Sequence, residues 1–597
     1  MATDQIAAIR AALPGYAYND CLKAVSRLRH AQPEGKQLRV AVLRSYTIEA
    51  IEPVLELRLR LEGYAPEFFF GGYDQYVQEI LDPGSAFYRF EPDVVLLCLR
   101  VEELDPDFAN AFGETDADWP ARMTVKANEI ASLVETLRAN SKAQVLVQNL
   151  IAPVDAYWGI YDAQLAGGQF HSAGVFNRVL ADRLGNIAGA FVWDFCRFVQ
   201  RKGYEQIFDP KMFYLSKSPY KQRILPNLGD DLITHFLSML GRIRKCVVLD
   251  LDNTLWGGVV GEDGIDGIRL GHAYPGLCYR EFQKNLLKLY HRGVILAINS
   301  KNNEADALRV IDEHPDMVLR REHFAAMQIN WVDKASNLRA LASTLNIGLD
   351  SMIMIDDSPA ECELVRGSVP ECEVVCLPQH PYLIPAVAER LPGIDNIRLT
   401  DEDRKKGTMY QAQAERARHA ESFSNLDEFL ASLELEVTIE EATPFSIPRI
   451  AQLSQKTNQF NVTTRRYTEA DIAAMASSGD MLVYSVAVRD KFGDNGIVGV
   501  VIIRFDADEC RIDTLLLSCR VIGRNVEASM VAHVAKEARS RGAKTLIGEF
   551  LPTTKNVPAA DLFHRLGFEP VSDTLFSLKL ADHALEVPEY IRLSKSA

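Results

Sequence analysis

The sequence predicts a multidomain α/β protein, and three observations carry that prediction. The chain has 597 residues, about four typical domain lengths, so two to four domains are expected. Short apolar runs alternate with helical stretches through the first two thirds, which is the pattern of parallel sheets. A highly charged stretch at 400–420 then interrupts that alternation. Apolar residues make up 47% of the chain and charged residues 24%, a globular composition rather than a disordered or coiled-coil one. Lys and Arg total 65 against 81 Asp and Glu, a net charge of −16. That balance argues against a dedicated binder of nucleic acid or anionic membrane, although local basic patches remain open. The 10 cysteines are scattered, with no C-x-x-C pair and no zinc-type His/Cys cluster. The opening MATDQIAAIRAALPG lacks signal architecture, and no apolar run approaches the roughly 18 residues of a membrane span. The expectation is a reduced, cytoplasmic protein that contacts neither nucleic acid nor membrane.

Residues 1–240 read as a first α/β domain with a helical leader to about residue 36. Its strands are expected at Leu38–Leu43, Val94–Leu99 and Gln144–Gln148, with helices at Ile48–Leu61 and about 122–140. Residues 241–399 read as a second α/β domain. Its strands are expected at Cys246–Leu251, Val294–Asn299 and Ser351–Ile355, and it closes near the proline-bearing run Cys376-Leu377-Pro378. Residues 400–434 read as a charged, solvated linking helix, with only Gly407 to break it between 400 and 420. Residues 435–597 read as a third domain. Strands are expected there at Leu482–Ala487, Gly496–Arg504 and Ile512–Leu517, then a helix at about Val526–Arg541 and a polar tail after about 580.

The chemistry concentrates between Asp250 and Asp357. The apolar strand Val247-Val248-Leu249 ends in Asp250-Leu251-Asp252-Asn253-Thr254. Two aspartates two apart share a face in extended chain, and the carboxyl end of a strand is where open parallel sheets bind ligands. Close carboxylates repel unless a cation or a shared proton compensates them, so the pair suits Mg²⁺. By itself, D-x-D fits a plain strand followed by an Asx-turn equally well. A second strand ends in Asn299-Ser300-Lys301, Lys334 stands at a helix start in WVDKASNLRALA, and a third strand ends in Asp356-Asp357-Ser358-Pro359. Lys301, and less so Lys334, also fits a helix-surface or solvated lysine. The intervals from Thr254 to Ser300 and from Ser300 to Lys334, roughly 45 and 33 residues, leave no room for a large cap domain. The site is therefore expected to be open.

The ordered set D-x-D-x-T, Ser, Lys, Asp-Asp resembles the haloacid dehalogenase (HAD) superfamily of phosphotransferases. The resemblance implies that Asp250 is the nucleophile and Asp252 the general acid and base. Thr254 would orient the loop, and Ser300 and Lys334 would bind the phosphoryl oxygens. Asp250, Asp252 (through its carbonyl) and Asp356 would hold Mg²⁺, with Asp357 supporting them. The run Leu255-Trp256-Gly257-Gly258-Val259-Val260-Gly261-Glu262-Asp263-Gly264, with Ile355 to Pro359, is similar to the FkbH-like family, HAD subfamily IIIC. The likeness continues in Leu453 to Tyr467 (LSQKTNQFNVTTRRY) and Asp490 to Gly496 (DKFGDNG). It implies an enzyme that dephosphorylates 1,3-bisphosphoglycerate and passes the glyceryl group to an acyl carrier protein in polyketide-type biosynthesis. Two alternatives stand beside it: a Mg²⁺-dependent phosphatase fused to an acyltransferase acting on a nucleotide-sugar or small metabolite, and a non-catalytic carrier-protein scaffold.

The third domain has its own motif. Ser518-Cys519-Arg520-Val521-Ile522-Gly523-Arg524-Asn525 follows a strand and opens a helix, where backbone N–H groups can receive pyrophosphate. It resembles the acyl-CoA loop of Gcn5-related N-acetyltransferases (GNAT), as Ala560 to Phe568 resembles the end of that fold. The resemblance implies that Arg520, Gly523, Arg524 and Asn525 bind CoA or the phosphopantetheine arm of a carrier. Cys519 is the candidate acyl carrier, because a helix N-terminus and a guanidinium favour thiolate. Cys278, Cys246 and direct transfer are the other possibilities, and a buried structural cysteine is the plain reading. In the first domain, Ser45 after a strand vaguely resembles the SGNH-hydrolase fold, without its G-D-S or D-x-x-H patterns. A degenerate flavodoxin-like scaffold is the plainer expectation there. An acidic carrier would need a local basic surface, expected from Arg404, Lys405, Lys406, Arg416, Arg418, Arg465 and Arg466.

Overall fold

The computed structural model describes residues 6, 8–10, 12–31, 35–110, 118–399, 409–583 apart from 411, 413, 414, 417, 418, 421 and 424, and 585–594. It divides into two compact units, Met1–Leu240 and Gly241–Ala597.

The first unit holds five parallel strands: β1 Lys36–Arg44, β2 Tyr64–Phe70, β3 Val94–Cys98, β4 Gln144–Gln148 and β5 Ala190–Trp193. Their order is β2-β1-β3-β4-β5, the flavodoxin-like arrangement. Ala41, Leu43, Val95, Leu97, Val145 and Val147 pack on one face under the helices Trp119–Asn140 and Gln169–Gly185. The alternate residues Val40, Val42, Leu96 and Leu146 are also fully buried. Burial on both faces is why these strands read as continuous apolar runs. Strand β2 carries Pro66, which an edge strand tolerates because one side of its backbone needs no partner. Ser45 is buried, and its Oγ accepts from the Arg100 amide (3.1 Å). It therefore packs as part of the scaffold and presents no exposed nucleophile.

The second unit opens with another parallel sheet: β6 Cys246–Leu249, β7 Ile295–Ser300, β8 Phe324–Ile329, β9 Met352–Asp356 and β10 Glu373–Cys376. The order is β10-β9-β6-β7-β8, with β6 at the centre. Only the helices Val260–Gly267 and Gly276–His291 lie between β6 and β7, and only Glu304–Glu313 and a short 3₁₀ turn lie between β7 and β8. As the spacing requires, no cap domain is inserted.

A third sheet follows in the same unit: β11 Leu435–Glu441, β12 Phe460–Asn461, β13 Met481–Asp490, β14 Gly493–Asp506, β15 Glu509–Leu517, β16 Thr545–Glu549, β17 Glu569–Pro570, β18 Leu575–Lys579 and β19 Ile591–Ser594. β13, β14 and β15 form an antiparallel meander. β15 then crosses through the helix Val526–Ser540 to parallel β16. This mixed sheet with its βαβ step is the α+β, GNAT-like architecture that the loop motif implies. The polar tail is not wholly irregular: β19 pairs parallel with β11 at the sheet edge.

The linking segment differs from expectation. Residues 400–408, with Arg404, Lys405 and Lys406, and residue Arg418 lie outside the described residues. Among the described ones, Met409, Tyr410 and Arg416 are buried rather than solvated. Arg416 donates from Nε and Nη2 to the two Asp490 oxygens (2.6 and 2.8 Å). A partner 74 residues away neutralises it and takes it out of solvent.

Candidate active site

Strand register assembles the site. Leu249 pairs with Ile298 on one side and Ile355 on the other. The next residues, Asp250, Asn299 and Asp356, therefore leave the sheet at the same level. The Asp250 amide donates to the Ile355 carbonyl (3.0 Å), and Ser300 ends β7 with 1% exposure. The chain turns tightly after Asp250. Asn253 adopts a left-handed φ of 52°, and its side chain accepts from the Gly258 amide (2.9 Å). Thr254 is fully buried inside that turn.

Lys334 opens the helix Lys334–Leu345, whose N-cap Asp333 accepts from the Ser336 amide (2.8 Å). Asn299 donates to the Lys334 carbonyl (2.9 Å) and pins that end to β7. The Lys334 ammonium, 3% exposed, lies 3.0 Å from Asp250 Oδ2 and 2.5 Å from Asp356 Oδ2. Burial alone would lower its pKa, but the two carboxylates outweigh burial and hold it above the usual lysine value. Lys301, in contrast, pairs with Glu361 (2.6 Å).

Asp250, Asp356 and Asp357 bring carboxylate oxygens within 4.8 Å of one another. Burial, then the Asp250 charge, raises the pKa of Asp356. Burial, then Asp250 and Asp356, pushes Asp357 up to about 6. Converging hard oxygen donors that repel one another suit Mg²⁺, and these residues fit it. The Asp252 carboxylate is not among them. Its Oδ1 accepts from Trp256 Nε1 (2.8 Å) and the Val260 amide (3.1 Å), and its Oδ2 accepts from Asn302 Nδ2 (2.9 Å). Burial raises its pKa against those three donors, the direction a proton donor needs. Trp256 and Asn302 were not among the expected site residues. The signal for Asn302 is its place two residues past Ser300, on the same face of an extended chain.

The third-domain candidates are not brought to this site. Cys519 packs against the opposite end of the phosphatase sheet, beside the cluster of Cys246, Ile295, Leu345 and Met352. Its carbonyl accepts from Asn346, just past the far end of the helix that Lys334 begins, and its thiol lies 3.5 Å from the Tyr410 hydroxyl. Twelve helical residues span about 18 Å, so Cys519 stands roughly that far from Lys334. Cys246, at the start of β6, is fully buried, and burial drives its thiol pKa well up. Arg520 and Arg524 turn inward with 3% and 5% exposure. Asn525 donates to the Tyr590 hydroxyl (2.6 Å) and accepts from Arg565 (3.0 Å). Arg465 and Arg466, expected on a docking surface, spend their guanidiniums on Asp513 and Glu549 and on the Thr457 carbonyl.

Comparison with known proteins bears on both units. The family model described as FkbH, N-terminal domain, matches residues 46–235, and that described as NLI interacting factor-like phosphatase matches residues 245–368. The chain carries an FkbH N-terminal domain joined to a phosphatase domain. A solved structure of the N-terminal part of protein BF1531 from Bacteroides fragilis, containing a phosphatase domain and complexed with Mg, is 28% identical. It covers 64% of this chain and 100% of its own, with a TM-score of 0.59. The ribosomal-protein-S18-alanine N-acetyltransferase from Escherichia coli is 17% identical over 26% of this chain and 97% of its own, with a TM-score of 0.20. No curated protein matches the sequence. The phosphatase domain makes the chain an enzyme, and it contains the whole Asp250–Lys334–Asp356–Asp357 cluster. No helix among the described residues is long and apolar enough to cross a membrane.

Proposed function

We propose that the protein is an FkbH-like glyceryl transferase. It dephosphorylates 1,3-bisphosphoglycerate, a phosphorylated three-carbon acid, and the glyceryl group passes to an acyl carrier protein. The supporting observation is the buried Lys334 ammonium between Asp250 and Asp356 at an uncapped sheet edge. In this reading Asp250 attacks phosphorus while Lys334 and Ser300 neutralise and hold the phosphoryl oxygens. The phosphorus–oxygen bond to the leaving group breaks, and that oxygen takes a proton from Asp252. Water then attacks the aspartyl-phosphate, Asp252 accepts its proton, and Asp250 and inorganic phosphate are freed. Asp250, Asp356 and Asp357 would hold Mg²⁺, which supplies positive charge to the phosphoryl oxygens when bound.

The acyl-phosphate end of this substrate carries its own leaving group. A carrier thiol attacking the C1 carbonyl expels phosphate, and the C3 phosphate ester is the one that needs hydrolysis. Placement of Cys519 about one helix length from Lys334 favours direct transfer to the carrier over an enzyme thioester on Cys519. The uncapped sheet edge suits a substrate presented to, or collected by, a second protein. Location in the cytoplasm fits a pool of such phosphorylated intermediates.

The test is intact-mass spectrometry of a phosphopantetheinylated carrier protein incubated with enzyme, Mg²⁺ and 1,3-bisphosphoglycerate. A glyceryl gain in carrier mass is the expected result. Phosphate release without loading would favour a phosphatase acting on a small metabolite or nucleotide-sugar. Neither signal would favour a non-catalytic scaffold.

A further inference from the structure

The C-terminal domain offers the outline of a thioester site and then fills it. β15 and β16 pair in parallel from Glu509–Ile512 to Thr545–Gly548 and then part, while β15 continues to Leu517. Two diverging parallel strands expose unpaired N–H and C=O groups along their facing edges. A pantetheine arm, with its two amides, could pair with such an edge as a short strand does.

Here the chain's own β12 occupies that gap. Phe460 and Asn461 pair antiparallel with Leu517 and Leu516. The Val462 amide donates to the Leu515 carbonyl (3.1 Å), and the Val462 carbonyl accepts from Leu551, beyond β16 (2.8 Å). Asn556 Nδ2 ties both edges together, donating to the carbonyls of Asn461 and Leu551 (2.9 Å each). Phe460 and Val462 are part of the domain core, with 2% and 0% exposure. Asn461 is fully buried, and its side chain accepts from the Thr464 amide (2.9 Å). This is the inner part of the LSQKTNQFNVTTRRY motif, so the motif has a structural occupation.

The phosphate end of the outline is closed as well. Arg524 Nη1 donates to Asp490 (2.9 Å), the same carboxylate that Arg416 grips. Arg520 lies buried against Ser518 Oγ (3.3 Å). Both guanidiniums are buried and make their hydrogen bonds inside the domain. In the first turn of the helix Val526–Ser540, Glu527 is 2% exposed and accepts from Arg565 (2.6 Å). A buried carboxylate in the first turn puts negative charge near the helix N-terminus, which disfavours a pyrophosphate there.

What the domain does hold is its phosphatase neighbour. Asn346 donates to the Cys519 carbonyl, Lys555 pairs with Asp350, and Lys456 donates to Asn396 (3.1 Å). We propose that the C-terminal domain binds no CoA thioester and no carrier arm in its strand cleft, and acts instead as a brace on the phosphatase domain. This goes beyond the glyceryl-transfer reading and stands or falls separately from it, because the tests below involve no turnover.

Hydrogen exchange of the full chain, followed by mass spectrometry, tests the filled cleft with acetyl-CoA and CoA as probes. Amides of 460–462 and 515–517 should exchange slowly in the free protein and be unchanged by about 1 mM of either probe, a concentration that would reveal even weak binding. Equilibrium dialysis should find no saturable binding. Fast exchange at 460–462 that either probe suppresses, or saturable binding, would overturn the closed cleft. Calorimetry of the full chain tests the brace. The phosphatase and C-terminal domains should melt in one transition, and Asn346→Ala with Lys555→Ala should lower or split it. Separate melting of the two in the unmodified protein would overturn the brace.

Discussion

Replacing Lys334 with methionine removes one charge and keeps most of the volume. The ammonium is 3.0 Å from Asp250 Oδ2, and its side chain is 3% exposed. At an effective dielectric of about 20, that single contact is worth about 5 kcal/mol of attraction, offset by the cost of burying both ions. Deleting one partner leaves the other charges buried and unpaired, which typically costs about 3–5 kcal/mol. Lys334 is held above the usual lysine value, so its contribution is complete below the unfolded value and is lost only as pH rises through the folded one. At about pH 7 it is fully present. K334M should therefore lose about 3–5 kcal/mol in EDTA, read by guanidinium unfolding, and regain part of it in Mg²⁺. Phosphate release should fall by about 10²-fold or more even with Mg²⁺ saturating. Metal-free stability within about 0.5 kcal/mol of the parent would show that the Lys334 ion pairs do not hold the buried carboxylates in place.

Asp250→Asn should keep the fold, by circular dichroism, and lose at least about 10³-fold in phosphate release. Activity should vanish with EDTA, and Asp356→Ala should raise the Mg²⁺ concentration needed for half-maximal rate. Asp357 has its folded pKa raised to about 6, so the metal-free protein loses stability as pH rises from the unfolded value to that one, and Mg²⁺ competes with a proton below it. The gain in melting temperature on adding Mg²⁺ should accordingly be larger at about pH 7.5 than at about pH 5. Trp256→Phe removes a donor to Asp252; turnover should drop about tenfold while the melting temperature moves little, and an unchanged rate would show that this contact is not needed. Cys519→Ala should release phosphate and load the carrier at nearly the parent rate, since the thiol sits at the far end of the helix from Lys334.

The phosphatase site was legible because its parts are local. Each of Asp250, Ser300 and Asp356 ends or follows an apolar run, and each run is a central strand buried on both faces. What sequence reading missed depends on distant partners. Strand β8 (FAAMQI) has little β-branched character and is recruited by pairing with β7. β19 lies in a polar tail and becomes a strand only against β11. Arg416 counts as a solvated charge until Asp490 is brought to it. The same limit explains the third-domain loop. Local pattern gave Arg520 and Arg524 an anion-binding look, but which way a guanidinium turns is decided by the buried carboxylate at Asp490. Cys519 had the right neighbours in sequence and the wrong end of the sheet in space.

Trapping the covalent intermediate tests whether Asp250 is the nucleophile. The enzyme is mixed with Mg²⁺ and 1,3-bisphosphoglycerate labelled in its C3 phosphate, quenched in acid within milliseconds and digested under acidic conditions. An acid-stable, hydroxylamine-labile phosphoryl label is expected on the peptide containing Asp250 and absent from Asp250→Asn. Turnover with no label at Asp250, or with the label on another residue, would contradict it.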